Sequence, residues 1–461
     1  MYTRGATKTP PGYTHRSVLN MFIILSKLCG IWNFDESTSV ILRFFYFIYK
    51  TIIYTIIMIF FSTLFAHLLL NYGDLLIATD DACYLAGISV IIFKLFIFAR
   101  QHGNIQNLIE EVYRPLDVLS QSSDVGVQRL LKVTFFYERI LLYFFIILAG
   151  FLVIALMVFV PKSDGELPIK TSFPFDTTIS PGHEIAMCLQ TAAITFGLYS
   201  IVAMDSLAIN ICRCLSIQLL TLASNYQTCI VHVYNRCRLK PSSLTSSPSK
   251  EPSVLKANED LIMSGFVPFR REEEREHRDS FVKRFTLCGI NHQRIIRTID
   301  EFNVIFSSCM LMQVFSSFSM ICFAGFQAVL GSSSKESVLK FIIYLGAALS
   351  QLVNWCWSGN QLMYQSTSLF ESQWQSGWEH QLDNHEVKTL MLMSMMRTKN
   401  PLQLRAGNYY TMSMHTLISD RNRSSMSLRV FLMSLNDNDG ATDFLHHSVI
   451  IILMGKICQC W

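Results

Sequence analysis

Long apolar stretches without charge recur along the chain. Each of the five clearest holds at least twenty residues, and their bounds are Thr51–Leu70, Ile140–Val160, Ile185–Met204, Val304–Leu330 and Phe341–Phe370. A sixth stretch, Ala82–Phe98, is shorter and contains Lys94. Because a helix needs about 20 apolar residues to cross the hydrocarbon core of a bilayer, the pattern predicts six transmembrane helices and an all-α membrane fold.

The composition excludes other classes of protein. Hydrophobic residues make up 51% of the chain and charged residues 16%, against roughly 25% charged residues in soluble domains. No phosphate-binding glycine loop, zinc-protease motif or hydrolase elbow is present, and such motifs mark common enzyme classes. We therefore predict no enzyme activity, no catalytic residues, no cofactor, no metal and no nucleic-acid partner. The thirteen cysteines are interpreted as buried or reduced thiols.

The distribution of Lys and Arg predicts the orientation in the membrane. Segments on one predicted side hold 28 of these residues and the alternate segments hold 4. Without the long segment 212–303, the ratio is still 14 to 4. Cytoplasmic loops carry the excess of Lys and Arg, so the N-terminus is predicted to be cytoplasmic. This orientation is opposite to that of rhodopsin-like receptors, whose Asp-Arg-Tyr and Asn-Pro-x-x-Tyr markers are also missing.

The apolar and polar segments predict a division of the chain into six parts. These are a cytoplasmic head with a short amphipathic segment (1–43), helices one to four (44–211), a long cytoplasmic loop (212–303), helices five and six (304–370), a cytoplasmic connection (371–416) and an atypical tail (417–461). Within the long loop, 241–280 begins with a Ser- and Pro-rich run and is predicted to be disordered. The flanking parts of this loop are interpreted as cytoplasmic extensions of helices four and five.

Charged residues inside the predicted spans are the first candidates for function. Lys50 and Lys94 lie near predicted cytoplasmic helix ends, where a long side chain can reach the membrane surface. Asp205 is too short to do so and is predicted to face the bundle, a wet crevice or a neutral partner. An acid within a membrane often has a functional role, and a structural hydrogen-bonding role is the alternative.

Several short motifs, in order, resemble those of the insect odorant receptors. The chain contains Gly30-Ile31-Trp32 after a leucine-rich helix and Pro174-Phe175-Asp176 before Ser180-Pro181. The sequence around His292–Phe306 is similar to the family's helix before the fifth span. The most specific block runs from Trp355-Cys356-Trp357-Ser358-Gly359 through Met396–Leu402 to Ala406-Gly407. The resemblance covers roughly residues 18–416.

This resemblance implies a ligand-binding subunit of an odorant-gated cation channel. Family members have seven spans, a cytoplasmic N-terminus and a shared odorant co-receptor as partner. The expected partners are therefore a small volatile organic ligand, the co-receptor in a hetero-oligomer (a tetramer in the family) and the lipid bilayer. The expected location is the cell membrane of the olfactory neuron dendrite.

The resemblance also implies two sets of site residues. A ligand pocket is expected in the outer half of helices two to six, formed by Tyr84, Ile88, Phe151, Met187, Thr191, Phe323 and Tyr344. Subunit anchoring on the cytoplasmic side is expected of His292, Phe302, Trp374, Trp378 and Pro401. For each pocket residue, ordinary packing between helices is the alternative interpretation.

The chain departs from the family after about residue 417. Family members enter a seventh, pore-lining helix there, whereas this chain has Asp420, Arg421 and Arg423 close together. Each charge at the centre of a spanning helix costs about 2.5–3.5 kcal/mol on insertion scales. The apolar run Ser448–Gly455 is too short to span. The seventh helix is thus predicted to be degenerate or missing, and an alternative exon, a retained intron or a decayed end would explain it.

Two principal functions remain open at this stage. The first is an odorant-gated channel subunit, and the second is a non-conducting relic or regulatory isoform that lacks the pore helix. A gustatory receptor relative is a variant of the first. A secondary transporter predicts inverted repeats and broken helices in the middle of the membrane, and neither is visible in the sequence.

Overall fold

The fold is a bundle of long helices. The computed structural model describes residues 15–34, 38–159, 167–230, 263, 265–270, 273, 280–330, 335–381, 385–407 and 410–416, with the backbone alone for 158–159, 324–330 and 335–345. Within these residues the helices are α1 His15–Leu28, α2 Val40–Leu70, α3 Leu75–Arg100, α4 His102–Leu119, α5 Val125–Ile154, α6 Gly182–Gln227, α7 Phe281–Leu330, α8 Lys335–Trp374 and α9 His385–Thr398. A π-helical turn, Ala155–Phe159, continues α5, and strands β1 Arg405–Ala406 and β2 Tyr410–Thr411 pair antiparallel.

Five of the described helices are long and apolar enough to cross a membrane. They are α2, α3, α5 with its π-helical turn, α6 and the described part of α7. These helices correspond to the first five predicted spans. Their large apolar side chains are extensively exposed, as Phe65, Ile147 and Phe315 illustrate, and a soluble monomer rarely exposes such large apolar patches. The sixth predicted span lies within α8, and the count of six stays a prediction.

The packing of the bundle becomes denser from one end of α6 to the other. Before Ser200, the buried residues are spaced about one turn apart and are Ala186, Gln190, Ala193 and Gly197. From Ser200 to Tyr226, nearly every residue of α6 is buried. A helix that is buried on all sides lies at the centre of a core. The half of the bundle predicted to be cytoplasmic is therefore tightly packed around α6, and the outer half is more open.

The cytoplasmic extensions predicted for helices four and five are present as continuous helix. Helix α6 runs past the predicted span to Gln227, and α7 runs without a break from Phe281 through the fifth predicted span. The β-hairpin packs against α7, because the Asn303 side chain donates to Gln403 O (3.0 Å) and accepts from Arg405 N (3.0 Å). The tail 417–461 and most of 241–280 lie outside the described residues.

Helix α1 is held on α4 by charged side chains. His15 Nε2 lies 2.7 Å from Asp117 Oδ1, and the Arg16 guanidinium donates to both Asp117 oxygens. Burial raises the pKa of Asp117, but the hydrogen bonds from Arg16 and His15 outweigh burial and hold the pKa well below its ordinary value. The apolar face of α1, which includes Val18 and Phe22, is buried against the bundle.

The loop before α6 folds back into the outer half of the bundle. Ile169 is 2% exposed and packs with Phe60 and Ala193. The Gln190 amide donates to Ile169 O and to Thr171 Oγ1, both at 2.8 Å. A further bond runs from Ser172 N to Thr63 O at 3.2 Å. These bonds satisfy backbone groups that would otherwise be costly to bury.

Candidate ligand-binding site

Three of the predicted pocket residues meet in the outer half of the bundle. Tyr84 packs, partly buried, against Leu156 and Met157 together with Ile194. Ile88 packs beside Tyr84 in the neighbouring group that includes Ile169. Thr191 contacts Met157 through its hydroxyl group. We call Tyr84, Ile88, Leu156, Met157, Thr191 and Ile194 the outer cluster.

The outer cluster contains one hydroxyl group, whose proton is donated within α6. Thr191 Oγ1 lies 2.8 Å from Met187 O and 3.3 Å from Met157 Sδ. A hydroxyl has one proton to donate, and a thioether is a weak acceptor. Met157 belongs to the π-helical turn Ala155–Phe159, and π-helical turns occur frequently at functional sites. The arrangement offers an apolar surface with one hydroxyl group, whose oxygen can still accept a hydrogen bond.

The loop before α6 covers the side of the outer cluster that faces the helix ends. Ile169 is buried in the group that contains Tyr84 and Ile88 as partly buried members. Gln190, which holds Ile169 in place, lies one residue before Thr191 on α6. The position of this loop is therefore coupled directly to the outer cluster.

The structure does not bring all seven predicted pocket residues together. Phe151 is 54% exposed on the outside of α5. Met187 is half-buried and contributes its carbonyl oxygen to Thr191. Phe323 is half-buried on α7, with no described contact to the outer cluster. The side chain of Tyr344 lies outside the described residues.

Asp205 forms a buried ion pair inside the bundle. Lys94 Nζ lies 2.5 Å from Asp205 Oδ1 and 2.6 Å from Gln313 Oε1. Lys94 is 1% exposed and Asp205 is 9% exposed. Asp205 thus faces the bundle, as predicted, but its partner is charged and not neutral. The prediction that Lys94 reaches towards the membrane surface is wrong, because three neighbouring helices supply its contacts internally.

The ion pair continues into a hydrogen-bonded network across four helices. Gln313 Nε2 donates to Ser317 Oγ at 3.1 Å and to Gln351 Oε1 at 2.9 Å. The Lys94 ammonium also lies 6.0 Å from the centre of the Trp355 ring, a distance at which a cation is attracted to the aromatic face. Helices α3, α6, α7 and α8 therefore meet at one ammonium group.

The predicted anchoring residues fall into two groups. His292 and Phe302 are buried within the chain, at 3% and 0% exposure. Trp374 is 55% exposed and its ring lies 5.4 Å from that of the half-buried Trp378, and Pro401 is exposed. In this arrangement only the second group can touch another subunit, and the first can act only by supporting the helices around it.

Cysteine and metal chemistry contribute nothing to the site in the described part of the chain. The described cysteines are all free. The same residues contain no group of three or more His, Cys, Asp and Glu side chains placed to hold a metal ion.

Sequence reasoning missed Met157, Ile169 and the pairing of Lys94 with Asp205. The opposite charges of two predicted spans could have indicated the pair, because charged side chains within a membrane usually pair with one another. No comparable signal marked Met157 or Ile169, since each lies among other apolar residues.

Comparison with known proteins identifies the family. A family model described as "7tm Odorant receptor" matches residues 74–420. The chain belongs to the odorant receptor family. It is a multi-pass membrane receptor, and the family is one of receptors rather than enzymes. The match includes all members of the outer cluster and the Lys94–Asp205 pair.

Individual relatives of the receptor match over shorter segments. Odorant receptor 13a of Drosophila melanogaster is 27% identical over 135 residues, which is 27% of this chain and 32% of that protein. Odorant receptor 85c of the same species is 34% identical over 89 residues (19% and 23%). The Drosophila odorant receptor coreceptor is 20% identical over 128 residues (28% and 26%). Each match spans about a third or less of the relative's length.

Solved structures confirm the fold. The insect olfactory receptor OR5 from Machilis hrabei, solved in complex with eugenol, matches with a TM-score of 0.68 and 16% identity, over 92% of this chain and 98% of that one. The structure of the same receptor described without eugenol matches with a TM-score of 0.66, 15% identity and the same coverage.

Proposed function

We propose that this receptor is the odorant-binding subunit of a heteromeric, odorant-gated cation channel that also contains a co-receptor subunit. The observation that carries the proposal is the outer cluster, which combines apolar side chains with the Thr191 hydroxyl in the less tightly packed half of the bundle. Binding sites for small molecules are typically apolar with a few placed polar groups. The expected ligand is a small volatile organic molecule with one polar group that can bond to the Thr191 hydroxyl.

The orientation and assembly belong to the same proposal. The excess of Lys and Arg in alternate segments supports a cytoplasmic N-terminus. The match to the coreceptor supports a related subunit architecture, and a hetero-tetramer in the dendrite membrane of an olfactory neuron is the proposed setting. Trp374, Trp378 and Pro401 are proposed to contact neighbouring subunits, while His292 and Phe302 support those contacts from inside.

Expression with an insect co-receptor tests the proposal. Cells with both subunits are recorded against a panel of volatile esters, ketones and phenols that includes eugenol, and an odorant-dependent cation current is expected. Thr191→Val should then weaken the response by about two- to tenfold in ligand concentration, the effect of losing one hydrogen bond. Thr55→Val is the matched control, because Thr55 also donates to its own helix, at 2.9 Å to Thr51 O, but is exposed on α2.

Two outcomes would contradict parts of this proposal. A current that is equally sensitive to Thr191→Val and Thr55→Val would remove the outer cluster as the binding site. A receptor that reaches the cell surface with the co-receptor but passes no odorant-dependent current would favour the second function.

That second function is a non-conducting relic or regulatory isoform. Asp420, Arg421 and Arg423 favour it, since they occupy the region where the family has its pore helix. Sequencing the 3′ end of the mature transcript across the codons for 407–417 separates the two. A transcript that encodes an apolar helix there supports the channel subunit, and one that encodes the charged tail supports the isoform.

A further inference from the structure

Two polar atoms beside the Lys94 ammonium have no hydrogen-bond partner in the described part of the chain. One is an acceptor, Asp205 Oδ2, and the other is a donor, Trp355 Nε1. Asp205 is bonded to Lys94 through its other oxygen, and the Trp355 ring lies 6.0 Å from the same ammonium. Trp355 is 1% exposed, so solvent does not satisfy its N–H. A hydrogen-bond donor and a hydrogen-bond acceptor are therefore buried beside the same ammonium group, and neither makes a hydrogen bond to a described residue.

Stability alone does not account for this arrangement. A buried ion pair is often no more stabilising than well-packed apolar residues of similar size. Each unpaired buried polar atom adds a further cost, because it has lost its hydrogen bonds to water. A partly satisfied polar network in a low-dielectric interior is especially unfavourable. The network thus raises the free energy of this arrangement relative to one in which both atoms are paired.

We propose that Lys94, Asp205 and Trp355 are positioning residues that couple the outer cluster to the cytoplasmic helices. In the arrangement described here, Lys94 bridges Asp205 and Gln313. In a second arrangement α8 shifts against α6, and the indole N–H of Trp355 donates to Asp205 Oδ2. This shift exchanges an unsatisfied pair of atoms for a hydrogen bond.

The helices place this network between the two ends of the receptor. Lys94 lies six residues after Ile88 on α3, about 9 Å along the helix axis. Trp355 lies on α8, which continues as one helix to the exposed Trp374. A shift of α8 at Trp355 would therefore move the surface that the proposed function assigns to neighbouring subunits. The coupling to odorant rests on that proposed function, whereas the exchange of hydrogen bonds does not.

The test measures how often the network opens. Cys309 is 1% exposed and lies within electrostatic range of both Lys94 and Asp205, so a maleimide reaches it only when the helices separate. The full chain in detergent is treated with N-ethylmaleimide, and the modification rate of the Cys309 peptide is followed by mass spectrometry. Trp355→Phe keeps an aromatic ring beside Lys94 and removes the N–H. It should slow modification by about two- to tenfold, the range for one hydrogen bond.

The decisive comparison repeats Trp355→Phe in a chain without the ion pair. The double substitution Lys94→Met with Asp205→Leu replaces the pair by apolar residues, an exchange that buried pairs often tolerate. In that background Trp355→Phe should leave the Cys309 rate unchanged. Slowing of Cys309 modification by the same factor in both backgrounds would overturn the proposal. So would slowing that a higher melting temperature of Trp355→Phe explains by itself.

Two further measurements keep the result interpretable. Trp357→Phe is the matched control, because Trp357 lies two residues along on a different side of α8. Equal slowing by Trp355→Phe and Trp357→Phe overturns the proposal even if the ion-pair double variant does not fold.

An agonist identified with the co-receptor should speed Cys309 modification in the natural chain but not in Trp355→Phe. Failure to find any agonist would count against the proposed function alone, since the variant comparison uses no odorant.

Discussion

Among the glycines that the structure describes, Gly359 has the least room for a side chain. It lies on α8 where the backbone after the β-hairpin crosses the helix, and a Cβ atom there would lie 2.0 Å from Met412 O. Because the obstacle is backbone, no side-chain rotation relieves the clash. The hairpin in turn is bonded to Asn303 of α7. A single missing methyl group thus permits α7, α8 and the hairpin to meet.

Gly359→Ala should destabilise the receptor by about 1–3 kcal/mol, the usual cost of overpacking a core. The measurement is thermal unfolding of the full chain in detergent. Gly346→Ala on the same helix is the control, because a Cβ there meets nothing within 4 Å and removing a helical glycine stabilises by up to about 1 kcal/mol. Equal melting temperatures for the two variants would show that the hairpin does not lie against α8.

At the scale of single residues, the sequence showed which side chains are charged or polar, but it did not show where in the bundle each one lies. The charges of Lys94 and Asp205 were visible, but their pairing depends on the rotation of α3 relative to α6, which no local pattern specifies. Phe151 was expected in the pocket and lies 54% exposed, while Met157 occupies the site. The π-helical turn Ala155–Phe159 follows Phe151, and a π-turn alters which residues face inward because it departs from the α-helical period.

At the scale of elements, α1 is the helix whose attachment depends most on charge. Its contact with α4 depends on Asp117, whose carboxylate is hydrogen-bonded to the side chains of His15 and Arg16. The pKa of Asp117 is lowered in the folded chain. Because the folded pKa is below the unfolded one, the contact stabilises docking at neutral pH and is lost only as the pH falls below about 4.

Asp117→Asn should loosen α1 without unfolding the bundle. The pair is partly exposed, with Asp117 and Arg16 side chains 30% and 58% accessible, so a loss of about 1 kcal/mol is expected. Amide hydrogen exchange in α1 should then accelerate by about fivefold, while exchange in α6 stays the same. Glu110→Gln, which breaks the exposed pair with Arg114, is the control and should speed exchange in α1 by much less, because Glu110 acts on Arg16 only through its charge and not through a hydrogen bond. Faster exchange in α6 as well would contradict a local role for Asp117.

Helices that correspond to long apolar stretches were predictable from the sequence, and irregular segments were not. Helices α2, α5 and α6 follow from apolar stretches that match the thickness of a bilayer. The continuity of α7 from Phe281 follows from helical periodicity that runs into an apolar block. The inward fold of the loop at Ile169 depends on a tertiary hydrogen bond donated by Gln190 and on one accepted by Thr63 O, which a local pattern does not reveal.

At the scale of the whole molecule, packing divides the receptor into two regions. The half predicted to be cytoplasmic is built around the buried end of α6, and the other half holds half-buried residues such as Tyr84 and Thr191. Binding sites require groups that a ligand can reach, and rigid support requires close packing. The Lys94 network lies where the two regions meet. The outer cluster, which a ligand can reach, is therefore the proposed odorant-binding site.

Photoaffinity labelling tests that claim most directly, and it does not depend on conduction. The full chain is irradiated with an active odorant that carries a diazirine, and the modified peptides are identified by mass spectrometry. We predict labels on the peptides that contain Met157 and Thr191, and their removal by excess unlabelled odorant. Labelling confined to the membrane-facing surface of α2 around Thr55, or labelling that the parent odorant does not reduce, would contradict the account.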